Sequence, residues 1–162
     1  MSASKSIESA VLPRTAWHGI LAETAVEVFS LMVGVTVVPA LDETRVPIQV
    51  TAIIGIAGAI RANFILQCST VSTIRLASQM LGISLDAPDS QKAALDALGE
   101  ICNIVAGSFK AKVGLGDACK LSVPVIITGQ DYQFCSRTTY ERLELPLTYE
   151  GETLWASLEI AQ

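Results

Sequence analysis

One histidine, His18, is all that this 162-residue chain contains, and that scarcity removes several chemistries at once. No Ser–His or Cys–His nucleophile pair is available, no H-E-x-x-H zinc motif occurs, and His18 has no metal-ligand partner at a useful spacing. Four cysteines, Cys68, Cys102, Cys119 and Cys135, show no C-x-x-C pairing, so they read as small buried apolar residues and no metal site is expected. Charged residues make up only 17% of the chain and the net charge is -5, with no basic cluster to displace counterions from phosphates. A nucleic-acid partner is therefore not expected. The most apolar run, "VPIQVTAIIGIAGAI", stops at Arg61, too soon to cross a bilayer, and "MSASKSIESAVLPRT" carries no apolar signal core. The expectation is a cytoplasmic chain without a membrane partner. No G-x-x-x-x-G-K occurs, and "GLGDACK", Gly114 to Lys120, lacks the spacing and following helix of a phosphate cradle.

What remains is a surplus of apolar residues, 51% of the total, for one core and for an oligomer interface. Nothing divides the chain by composition, so residues 1–162 are expected to form a single domain. A helical pattern runs from Thr15 to Val33, with Trp17, Ile20, Leu21, Val28, Leu31 and Met32 offered to the core and Gly34 and Pro39 as its stop. "VPIQVTAIIGIAG" and "ANFILQCS" read as a hairpin turning at "AIR", and "TVSTIRLASQMLG" as a helix from a Thr cap to Gly82. "ISLDAPDS" is a polar connection in which Ser90 could cap the next helix. Strands follow at "CKLSVPVIIT", "YQFCS", "YERLELPLTY" and "TLWASLEI", the last two joined at "EGE" with the alternation of a half-buried antiparallel pair. Without regular βαβ alternation, the class is α+β, long helices on an antiparallel sheet.

The helix "ALDALGEICNIVAGSFKA", Ala94 to Ala111, carries the chemistry. Leu95, Leu98, Ile101, Cys102, Val105 and Phe109 share one arc, while Asp96, Glu100, Asn103 and Gly107, at i, i+4, i+7 and i+11, form a ridge on the other side. Asn is unfavourable in a helix interior, and Gly99 and Gly107 each cost about 1 kcal/mol relative to Ala. Small neighbours, Ala93, Ala97, Gly99, Ala106 and Gly107, suit the close approach of another protein. Lys92 and Lys110 read as ordinary surface charges. Glu100 and Asn103, one turn apart, can pair with a cation and hold a water. Such a pair needs a partner that brings the rest of the site. A shift of 73 residues places Glu23, Glu27, Ser30 and Gly34 on Asp96, Glu100, Asn103 and Gly107, a weak internal repeat that sets two helices side by side.

Asp96, three residues, Glu100, two residues, Asn103, and then Pro124 make the chain resemble the CheC/CheX/FliY family of chemotaxis phosphatases, and within it the CheX branch. The resemblance covers nearly the whole chain. It implies a pseudo-two-fold α+β fold and a phosphatase acting on the aspartyl phosphate of a CheY-type response regulator, in chemotaxis or related two-component signalling. Glu100 would pair with the regulator's active-site lysine and Asn103 would orient the attacking water. Asp96 and Gly107 would serve docking, and Pro124 would mark the following strand. The magnesium ion belongs to the partner, with no cofactor of this chain's own. The resemblance also implies a homodimer and one active site per chain, because Ser30 replaces the Asn in the first-half helix. The alternative is a non-catalytic adaptor that binds a regulator without hydrolysing it.

Overall fold

The computed structural model describes residues 10–40, 47–84, 86, 90–130, 132 and 140–162. The strand expected at "YQFCS", Tyr132 apart, and Cys135 lie outside them. The first helix, α1 (Trp17–Val28), follows a short 3-10 turn and ends in a π-turn, Phe29–Val33, closed by Gly34 at φ 80°. That wider turn carries the chain out of the 3.6-residue period. Phe29 and Val33 are buried in consequence, whereas Leu31, expected in the core, is 74% exposed and Met32 50%. The stretch Arg14–Val33 is long and apolar enough to cross a membrane by composition, but Trp17, Leu21, Ala25 and Val28 are spent inside the fold.

The strands are β1 (Val38–Pro39), β2 (Val50–Gly58), β3 (Arg61–Cys68), β4 (Cys119–Leu121), β5 (Val125–Thr128), β6 (Tyr140–Tyr149) and β7 (Glu152–Ala161). All pair antiparallel in one sheet of order β1-β6-β7-β3-β2-β4, with β5 also on β2. The expected α+β class, helices on an antiparallel sheet, is what the chain adopts. The expected strand "CKLSVPVIIT" is split in two. Ser122 turns back on β2, its hydroxyl accepting from Gly55 N at 2.8 Å, and Pro124, which cannot donate to a ladder, sits in the break. Both hairpins turn on positive-φ residues: Gly58 (145°), the last residue of β2, and Glu150 (46°) with Gly151 (80°) between β6 and β7.

The second helix, α2 (Thr70–Leu81), is capped by Ser69, whose hydroxyl accepts from Ser72 N at 3.0 Å, with Thr70 as its first residue rather than its cap. The third, α3 (Ser90–Lys112), already includes Ser90. One face of the sheet receives α1 and α3. Ile54, Ile56, Phe64, Leu66, Leu154 and Leu158 form a single apolar cluster there with Leu21, Leu98, Ile101 and Phe109. The two helices meet at Trp17 and Phe109, edge to face with centroids 5.6 Å apart. Arg14 lies 4.2 Å over the Trp17 ring, and the indole N–H donates to Leu12 O at 2.9 Å. Cys68, Cys102 and Cys119 are buried and free, and burial pushes the Cys68 and Cys102 thiols up to about 12.

Glu152, at the start of β7, receives the Ser69 hydroxyl at 2.6 Å and also the Ser72 hydroxyl, tying the last hairpin to the N-terminus of α2. Burial pushes its carboxyl up, but the two hydroxyls and Arg75 together hold it below its ordinary value. A depressed carboxyl stabilises the fold above its ordinary pKa and loses that contribution as pH falls through the lowered value. Glu152→Gln should therefore lower stability at pH 7 by about 1 kcal/mol. The gap to the unchanged chain should narrow as pH falls from the ordinary carboxylate range through the lowered value. Urea unfolding at pH 7 and across the acid range checks this.

Candidate functional site

The orientation of α3 is set by its buried face. Leu98, Ile101, Cys102, Val105 and Phe109 are at most 1% exposed, and the Cys102 thiol points at Ala52 O of β2, 3.7 Å away. With 100° per residue fixed by the backbone, this packing turns Asp96 and Glu100 outward. Both are exposed, and Leu95, expected in the apolar arc, is only half-buried. Asn103 is half-buried beside them. None of the three carries an ion pair or a side-chain hydrogen bond among the described residues. Two carboxylates at i and i+4 repel by about 0.2–0.5 kcal/mol, and no cation among the described residues pairs with either.

Three of the small residues expected to admit a partner, Ala97, Gly99 and Ala106, are buried inside the fold. Ala97 is buried with Ala94 against Ala77 of α2. Gly99 and Gly107 face the edge of the sheet. A Cβ at Gly99 would lie 3.4 Å from Ile126 Cδ1 and 3.5 Å from Pro124 Cβ, and one at Gly107 would lie 3.7 Å from Leu121 Cδ1. Leu121, Pro124 and Ile126 thus run alongside the row 99, 103, 107, and Asn103 stands between the two glycines over the Ser122–Pro124 link. This internal packing accounts for Gly99, which is buried, and leaves Gly107 half-buried at the rim of the ridge. Pro124 is the chain's own contact for the helix.

Of the two lysines expected on the surface, Lys92 is exposed without an ion pair or hydrogen bond among the described residues, whereas Lys110 is engaged. Lys110 donates to Gly116 O at 2.6 Å and Cys119 O at 2.9 Å, pinning the turn into β4. Lys112 pairs with Glu27 of α1. The His18 Nε2–H donates to Glu144 O at 2.9 Å. Among the described residues, no three His, Cys, Asp or Glu gather as metal ligands. The ridge thus pairs an exposed carboxylate with a half-buried amide, held on one helix and unpartnered among the described residues, and it is open to a docked partner.

An antiparallel α+β fold with such a ridge defines the class, and the comparisons give the family. The chain belongs to the chemotaxis phosphatase CheX family, whose sequence profile matches residues 50–148, a span that includes all of α3 and Pro124. It is 26% identical over 113 residues to the CheY-P phosphatase CheX of Thermotoga maritima, covering 69% of this chain and 71% of that one. The crystal structure of chemotaxis protein CheX from Desulfovibrio desulfuricans shares its fold, with a TM-score of 0.76 at 19% identity over 89% of this chain and 98% of that one. The CheX–CheY–BeF3–Mg complex from Borrelia burgdorferi matches with a TM-score of 0.73, 19% identity, and 90% and 98% coverage.

If Gly99 is small because Pro124 and Ile126 pack on it, Gly99→Ala makes ordinary contacts and should gain about 0.5–1 kcal/mol of helix propensity. Gly99→Leu should cost about 1–3 kcal/mol by forcing the link away. Denaturant midpoints of the two variants distinguish this from a glycine kept for another reason, for which both substitutions would destabilise.

Proposed function

We propose that this chain is a phosphatase for the aspartyl phosphate of a CheY-type response regulator; its Thermotoga relative is named a CheY-P phosphatase. The observation that carries the reading is the placing of Glu100 and Asn103 one turn apart, unpartnered among the described residues, on a helix whose rotation the core fixes. Glu100 pairs with the regulator's active-site lysine and seats α3 over the phosphorylation site. The Asn103 amide accepts one hydrogen bond from water and donates another, holding the oxygen in line with phosphorus. Water adds to phosphorus as the P–O bond to the aspartate breaks, releasing inorganic phosphate and a free carboxylate. Asp96 and Gly107 bound the docking surface at the two ends of the ridge. The magnesium ion arrives with the substrate, because Asp96 and Glu100 alone are too few oxygen ligands to hold it in this chain.

One site per chain follows from α1. Ser30 has a short hydroxyl where an amide is needed, and Glu27 is already paired with Lys112. The strand order supports α1 and α3 as counterparts, since exchanging the halves, β1 with β4 and β5, β2 with β6, β3 with β7, leaves it unchanged. Residues 1–162 act as one cytoplasmic domain, and the chain is a homodimer. Exposed Leu31, with Pro39 on the shallow groove along α1, and Met32 support a further interface.

Phosphate release from a phosphorylated, magnesium-bound CheY-type receiver, with catalytic amounts of this protein, tests the proposal. Asn103→Ala should cut turnover by about 100-fold with receiver affinity kept, and Glu100→Ala should weaken both. A wild-type chain that binds the receiver without shortening the life of its phosphate would be an adaptor.

A further inference from the structure

A second concave site lies on the sheet face opposite α1 and α3. Paired residues of neighbouring strands share a face, and one row across the sheet reads Lys120, Ala57, Arg61, then Ala161 with Tyr140. Ala57 pairs with both cations, so Lys120 and Arg61 flank it, with Cα atoms roughly 10 Å apart. The next row holds Gly55 and Asn63. Small residues, Gly55, Ala57 and Ala161, form the floor and the longer side chains the walls of a cavity of about 500 Å³.

Its donors are idle. Of the cations among the described residues, only Arg61, Lys92 and Lys120 have neither an ion pair nor a hydrogen bond, and two of these three border this one cavity. The Asn63 amide and the Tyr140 hydroxyl have no partner among the described residues either. Ser122 is already spent on Gly55 N and Val123 O. Nearby Glu159 and Glu144 both pair with Arg142, so the two rows keep a net positive charge in a chain of net charge -5.

We propose that this cavity binds the phosphate group of a small phosphate monoester. The Arg61 guanidinium matches two phosphate oxygens, Lys120 supplies the second charge, and Asn63 and Tyr140 donate to what remains. The space beyond one phosphate takes the organic body over the alanine floor. Lys120 serves as a strand residue beside a sheet cavity, not as part of a glycine-rich cradle.

Calorimetric and NMR titration of the full chain with inorganic phosphate, glucose 6-phosphate and AMP tests this. Saturable, salt-sensitive binding is expected for at least one ester, with amide shifts at Arg61, Asn63 and Lys120. Arg61→Gln and Lys120→Gln should each weaken it about tenfold. Lys92→Gln, which removes the same charge from α3, should leave it unchanged. No saturation by any of the three up to about 10 mM, or equal weakening by all three variants, would overturn the proposal.

Discussion

Everything at the ridge depends on how the buried face of α3 is locked to the sheet. Ile101, Cys102, Val105 and Phe109 have no accessible alternative to the surface of β2 and β3, and Trp17 closes the far end over Phe109. A helix has one rotational degree of freedom about its axis, and this packing removes it. Asp96 and Glu100 are consequently exposed and Asn103 stands at the edge of the buried zone. The cost of carboxylates facing each other and of an amide in mid-helix is small against the burial of five large side chains. The fold can therefore hold an unfavourable ridge without loss of order.

The edge of the sheet completes that constraint. Breaking one expected strand into β4 and β5 at Pro124 sets Pro124 and Ile126 against Gly99 and Leu121 beside Gly107, so the sheet edge packs on the helix on either side of Asn103. Gly99 in mid-helix and Pro124, 25 residues later, are two halves of one contact. This gives Pro124 a packing reason in this chain, separate from any chemistry.

Local pattern made much of this legible. The apolar arc of α3 and the alternation of β6 and β7 are periodicities that a sequence displays directly, and the ridge follows from the arc by subtraction. Features that depend on distant residues were not legible. Leu31 and Met32 miss the core because a π-turn, invisible to a 3.6-residue wheel, intervenes after Val28. The packing of Gly99 was hidden because Pro124 and Ile126, which lie against it, come from a distant segment. The convergence of Arg61, Lys120, Asn63 and Tyr140 needs the register of five strands, which no linear pattern contains.

The most direct test of the central claim is an NMR titration that follows the Asn103 side-chain amide and the backbone amides of residues 96–107. The titrant is a CheY-type receiver loaded with magnesium and beryllofluoride, a mimic of the phosphorylated state. The account predicts shifts centred on Glu100 and Asn103 with the activated receiver and little change with the inactive one. Shifts that map to another face of the molecule, or that ignore activation, would contradict it.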